Sequence, residues 1–128
     1  MTYNRLRTGR LAEARAAEHL LLLGYDMVER NARTRFGEID IVALDRRALV
    51  FVEVKAVRAG GQFGPDRPVL WVTPRKQSRV RRLAAAWMAE RRADDSVPRY
   101  AQIRFDAVGI LAGPDDEVLD LEHITGAF

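Results

Sequence analysis

Glu38-Ile39-Asp40 and Glu53-Val54-Lys55 bring three carboxylates and one ammonium into sequence that reads as a single β-hairpin. Carboxylates at that density repel one another and lose hydration on burial unless a cation neutralises them. Their oxygens are the hard ligands that Mg²⁺ and Mn²⁺ take. A divalent ion held there beside a lysine could polarise a phosphodiester and generate the attacking water. A softer metal finds little to bind, since the chain has no cysteine and only two histidines, His19 and His123, far apart in sequence. Zinc is therefore disfavoured. Taken alone, a Glu-x-Lys pair in a strand reads as a surface ladder worth about 0.2–1 kcal/mol per pair, so the surrounding pattern has to decide.

Lysine usage is one part of that pattern. Of 21 basic residues only Lys55 and Lys76 are lysine. Arginine serves nearly everywhere a surface cation would suffice, so lysine at 55 points to chemistry that a compact, tunable point charge performs and a planar guanidinium does not.

Positioning these groups falls to strands over 38–44 and 49–56, rich in Ile, Val, Leu and Phe and joined by a turn at 45–48. Strand alternation predicts that Glu38 and Asp40 share one face and that Ile39 and Ile41 take the other. The same period puts Glu53 and Lys55 together, opposite Val52 and Val54. Upstream, residues 8–23 predict a helix with Leu11, Ala14, Ala17, Leu20 and Leu21 as its apolar side and Gly24 as its stop. Glu13 lies beside that stripe, either as a ligand or as an ordinary acid favoured by the helix dipole. Residues 27–33 lead into the hairpin as a further strand. Later strands are expected over 100–111, interrupted near Gly109, and over 118–124. Asp106 beside Arg104 reads as a structural pair.

A second helix opens with Thr73 as N-cap and Pro74 at its first position. Val80, Leu83, Ala84, Trp87 and Met88 form its core-facing stripe. Seven basic residues (Arg75, Lys76, Arg79, Arg81, Arg82, Arg91, Arg92) against the single acid Glu90 must lie mainly on the other side. That face is either a solvated surface or a phosphate-tracking one; beside the acidic hairpin the second reading is preferred, with Arg75, Lys76, Arg79 and Arg82 as contacts. Residues 57–72 hold Gly60, Gly61, Gly64, Pro65 and Pro68 and predict an irregular loop able to close over a substrate strand, with Arg58 and Arg67 available for phosphates. It is not a phosphate-binding loop of the nucleotide-hydrolysing kind, because no Lys-Ser or Lys-Thr follows the glycines. Trp71 and Trp87 read as core or loop support rather than as base-stacking platforms.

Bulk properties fit one domain over 1–128. Hydrophobic content of 48% and dispersed charge exclude disorder and fibrous classes. A net charge of +3 favours an acidic partner. No run approaches the roughly 18 apolar residues of a membrane span, and Glu13, Arg15, Glu18 and His19 break up the start of the chain as a signal peptide. The expectation is a cytoplasmic protein with no membrane partner.

In order and spacing, Gly37-Glu38-Ile39-Asp40, Phe51-Val52-Glu53-Val54-Lys55, Arg104-Phe105-Asp106 and Gly126-Ala127-Phe128 resemble the YraN-like family of bacterial proteins, itself similar to the PD-(D/E)XK nuclease superfamily. Gly9, Glu13, Ala17, Leu20, Gly24, Tyr25, Arg30 and Asn31 precede them in the expected order. The resemblance implies a restriction-endonuclease-like α/β fold: three α/β/α layers around a mixed sheet, in the order α-β-β-β-α-β-β. It also implies Asp40 as the metal-binding aspartate, Glu53 as the second acid, Lys55 as the motif lysine and Glu13 as the residue completing the site. Glu38 is a further candidate ligand. Arg58 stands one position later than the arginine many members carry. The expected function is Mg²⁺- or Mn²⁺-dependent cleavage of nucleic acid, DNA before RNA, with a homodimer open as an assembly. The competing expectation is a non-catalytic nucleic-acid-binding module on the same scaffold.

Overall fold

The hairpin is the middle of a five-stranded sheet. Strands β1 (Asp26–Thr34), β2 (Gly37–Asp45), β3 (Ala48–Arg58), β4 (Gln102–Ala112) and β5 (Val118–Ile124) lie side by side in chain order. All neighbours are antiparallel except β3 and β4, which are parallel. A parallel pair needs a crossover, here a 3₁₀ turn at Pro68–Trp71 followed by helix α2 (Pro74–Ala93). Helix α1 (Thr2–Leu22) precedes the sheet. The computed structural model describes residues 2–60 and 67–128, with the side chains of 9–60 and 67–128. Gly61, Gly64 and Pro65 of the expected loop lie outside the described residues.

One helix covers each face. Ala12, Ala16, Ala17 and Leu20 of α1 pack with Ile41, Val50, Val52, Val108 and Ile110. On the opposite face Leu83, Ala84, Trp87 and Met88 of α2 pack with Ala32, Ile39, Val42, Leu49 and Phe51. The result is the restriction-endonuclease-like three-layer α/β/α architecture, with a mixed sheet in the predicted element order.

Helix α2 forms as its sequence dictates. Thr73 Oγ1 accepts the Lys76 N–H at 3.3 Å, Pro74 occupies the first turn, and Arg91 and Arg92 face the negative end of the dipole. Its stripe is buried as expected, and the Trp87 indole donates to Glu29 at 3.0 Å. Helix α1 departs from expectation. Ala17 and Leu20 are buried as expected, but Leu11, Ala14 and Leu21 are exposed, the leucines at 40% and 55%, while Ala12 and Ala16 are buried. Two interleaved stripes satisfy the helical period here; the sheet selects the alanine one because small side chains let the helix backbone approach closely. That rotation puts Glu13, between Ala12 and Ala16, on the inward side.

Strand β4 is continuous through Gly109. The glycine serves a close approach instead of a break: a Cβ there would stand 2.7 Å from the Val69 backbone nitrogen in the 3₁₀ turn. Asp106 is a structural anchor, as expected. It is fully buried and accepts from Arg104 Nε at 2.8 Å, Arg104 Nη2 at 2.9 Å, His123 Nε2 at 2.8 Å and the Gly126 N–H at 3.0 Å. His19 then meets His123 at 3.1 Å, so the two histidines, remote in sequence, tie α1 to β5. No described helix is long and apolar enough to cross a membrane.

Candidate active site

Asp40 marks the point where β2 leaves β3. The two strands pair from Asp45↔Ala48 up to Ile41↔Val52 and no further. Beyond it the Asp40 Oδ2 accepts the Val54 N–H at 2.8 Å, taking the place a backbone carbonyl would have in a continued ladder. The alternation predicted for β2 fails at this position. Ile39 packs in the α2-side core and Ile41 in the α1-side core, although strict alternation puts both on one face. Across the ladder β1 does the same: Arg30 pairs with Ile41 and Ala32 with Ile39, while the intervening Asn31 adopts φ +49°. Both strands thus reverse their facing together, and Asp40 stands at the reversal.

Through this break Asp40 comes within hydrogen-bonding reach of Glu13 from α1 and of Glu53 from β3. Burial, reinforced by the charge of Asp40, pushes the Glu13 and Glu53 carboxyls each up to about 7. Burial likewise raises Asp40, against the hydrogen bonds from Val54, Glu53 and Glu13. Asp40 is the common acceptor, and the flanking acids hold protons near neutrality unless a cation replaces them.

A groove of about 410 Å³ opens on this cluster, lined by Glu38, Asp40, Glu53, Lys76 and Arg79 with Val80 and Leu83. Lys76 and Arg79 partly offset the rise at Glu53. Gly37 makes room for the arginine. At φ +139° it takes a conformation few other residues adopt, and a Cβ would lie 3.2 Å from Arg79 Nη2. Glu38 is exposed at the rim and pairs with Arg33 at 3.0 Å. Lys55 is partly buried and shares the face of Glu53, since alternation holds through Phe51 and Val52 in β3. Neither Lys55 nor Glu13 lines the groove itself.

The donor set fits a hard divalent ion. Among the described residues no three His, Cys, Asp or Glu side chains come together so as to hold a metal ion among themselves. Mg²⁺ does not need three, because it keeps several waters and takes one or two carboxylates plus substrate oxygens. Asp40 and Glu53 line the open groove together and would be such a pair, with Glu13 within reach of Asp40.

The basic residues divide into two groups. Lys76 and Arg79 enter the acidic groove, Arg82 lines a neighbouring cavity, and Arg75 is exposed on the first turn of α2. The others serve the fold. Arg91 binds Glu29 at 2.7 Å, Arg92 donates to Tyr100 at 2.9 Å, and Arg81 lies over the Phe105 and Phe128 rings. Arg58 is held by the Gly113 and Pro114 carbonyls and by Asp116 at 2.6 Å, and Arg67 by Glu122. Neither Arg58 nor Arg67 lines the groove. The role of Gly37 was not drawn from the sequence, although a glycine directly before Glu38 was a visible signal.

Known proteins are similar to this chain over nearly its whole length. A relative in Acidothermus cellulolyticus is 44% identical over 125 residues, covering 94% of this chain and 92% of its own length. One in Geotalea daltonii is 44% identical over 120 residues, covering 94% and 87%. Another, in Mycobacterium tuberculosis, is 37% identical over 129 residues, covering 98% and 94%. Each is described as a UPF0102 protein. The family model matches residues 12–110, a span that contains Glu13, Asp40, Glu53, Lys55 and the whole of α2. The chain therefore belongs to the uncharacterised protein family UPF0102, the YraN family its motifs resemble.

Proposed function

We propose that this chain is a divalent-metal-dependent phosphodiesterase acting on nucleic acid, with DNA the first substrate to test. One observation carries the reading: Asp40 sits at a break between paired strands, against Glu13 and Glu53, and faces Lys76 and Arg79 across an open groove. A carboxylate pair with flanking cations suits a phosphate bridged to Mg²⁺ or Mn²⁺. When bound, the ion would supply Lewis acidity and a nucleophile at neutral pH. Asp40 and Glu53 would hold it, with Glu13 and Glu38 as outer ligands. Lys55 would orient the attacking water and offset charge on the phosphate, while Lys76 and Arg79 would fix the strand. Arg75 and Arg82 extend that basic track along α2.

Incubation with branched, nicked and single-stranded DNA in Mn²⁺ is the direct test. Wild type is expected to cut, and Asp40→Asn and Lys55→Ala to lose about a hundredfold or more. Equal cleavage by all three would trace the activity to a contaminant and sink the proposal. Gel filtration with and without DNA reports whether two copies assemble for double-strand cleavage.

A non-catalytic binding module is the second reading. It is favoured by the same two carboxyls, since acids held near 7 can be neutralised by protons alone. It predicts association without turnover in any divalent metal.

A further inference from the structure

Beside the acidic groove, and sharing Arg79 and Leu83 with it, lies a second cavity of about 560 Å³. One wall is the β1–β2 turn carrying Arg35 and Phe36; the other is α2, where Ala85, Ala86 and Ala89 leave room that larger side chains would fill. Phe36 is 63% exposed. A large aromatic on a turn tip is usually a solvent-lapped accident, but this one is held in place. Thr34 Oγ1 accepts the Phe36 N–H at 3.1 Å and donates to the Gly37 carbonyl at 2.8 Å. The Arg35 N–H reaches Glu90 of α2 at 3.3 Å, and the Arg35 guanidinium lies 4.7 Å from the Phe36 ring centre. The turn is fastened to the helix, and the ring it displays is preorganised.

The charged residues lining the cavity have one sign; Glu90, which holds the Arg35 N–H, is not among them and pairs with Arg91. Arg35, Arg79 and Arg82 line the cavity with no carboxylate among its lining residues. Among the described residues neither Arg79 nor Arg82 forms an ion pair, so both cations remain available to a ligand. An apolar peptide would leave them unsatisfied. A polyanion bearing flat rings satisfies the cations and the aromatic together. Position agrees as well, since Phe36 sits on the turn that leads into β2, four residues before Asp40 and so at most about 13 Å of extended chain away.

We infer that this cavity takes an unpaired base of a single-stranded nucleic-acid segment, stacked on Phe36, with Arg35 and Arg82 on its phosphates and Arg79 bridging to the acidic groove. That the neighbouring phosphate is the one cut rests on the function proposed above; the stacking itself does not. The substrate class would then be single strands, or duplexes with an unpaired nucleotide beside the cleavage point.

Fluorescence anisotropy in the Asp40→Asn background separates the two claims. The ligands are oligo-dT and an abasic oligomer with the same number of phosphates. The protein is expected to bind oligo-dT about tenfold tighter than the abasic chain. Adding Phe36→Ala should bring the two affinities together by weakening oligo-dT alone, and Phe36→Trp should keep the preference. Arg82→Ala should weaken both ligands alike. Retained abasic affinity in Phe36→Ala doubles as the control for folding. A base preference that survives Phe36→Ala, or none in the parent, overturns the inference and points to a phosphate track or an acidic-peptide groove. Binding of neither oligomer at low salt overturns it together with the proposed function. If Phe36 carries the preference while the wild-type protein cuts nothing in Mn²⁺ or Mg²⁺, the stacking site stands and the nuclease reading falls.

Discussion

Glu13 and Glu53 are destabilising when ionised, because burial first and Asp40 second push each carboxyl up to about 7 from an ordinary value of 4.5. A carboxyl whose folded pKa exceeds its unfolded one contributes stability fully below the unfolded value and loses it as pH rises through the folded value. The metal-free protein is therefore expected to be more stable at pH 5 than at pH 8, with the loss falling between about 4.5 and 7. Urea denaturation at a series of pH values reads it directly. Glu53→Gln should raise metal-free stability at pH 8 by on the order of 1–2 kcal/mol and flatten that dependence; no change would mean that water already relieves the site. Addition of Mn²⁺ at pH 8 should raise the melting temperature of wild type and leave Asp40→Asn unmoved. Asp106 behaves oppositely. Burial would raise it, but hydrogen bonds from His123, Arg104 and Gly126 outweigh burial and hold it at about 2. Its contribution is present above about 3.8 and lost as pH falls through about 2. Asp106→Ala should cost about 3 kcal/mol with an unchanged denaturant slope, since it strands buried donors. At this scale residue type and spacing sufficed to point to the neighbourhood of Asp40 and Glu53 and to the Arg104–Asp106 pair, whereas Glu13 was implicated only through the family resemblance. The sequence was not legible for His19 and His123, whose contact spans 104 positions and depends on where α1 docks.

Apart from the start of α1, which lies at Thr2 instead of near residue 8, element boundaries followed local rules, whereas facing did not. Thr73-Pro74 opened α2, Gly24 at φ +91° closed α1, and apolar runs marked the strands. The α1 stripe was misread because leucine outweighs alanine in any hydrophobic count, yet close packing on a sheet favours the smaller side chain. Alternation across β2 failed because it assumes a regular pleat, and the reversal at Asn31 and Asp40 breaks it in two strands at once. Gly37 is where this element can be tested. Gly37→Ala forces a side chain into φ +139° and toward Arg79, so about 1–2 kcal/mol of stability should be lost. Phosphate affinity should fall with it as the guanidinium is displaced. Arg79→Ala in the same background should then weaken binding by less than it does in wild type, and additive losses would show the two residues to be uncoupled.

Across the whole molecule, a net charge of +3 conceals an uneven division of labour. Arg58, Arg67, Arg81, Arg91 and Arg92 are spent on the fold, leaving Lys76, Arg79 and Arg82 around the two cavities. Composition could not reveal that division, since it depends on which acids and rings the tertiary structure brings near. If about five phosphates are contacted, log K should fall against log salt with a slope of about −4 to −5, and removing Arg79 should reduce the slope by about one. A flat response would reject both nucleic-acid readings.

The reversal at Asn31 and Asp40 has a mechanical consequence. Beyond it the hairpin tip rests on α2 alone, through Ala32 and Ile39; before it, the hairpin is held from both sides, by α1 at Ile41 and Ala43 and by α2 at Val42 and Glu29. The tip, carrying Phe36 and Gly37, therefore depends on one helix where the rest of the hairpin depends on two. Asp40 marks the boundary, and amide exchange in the tip should follow loosening of α2 alone, whereas the paired part of the hairpin should open only when both helices loosen.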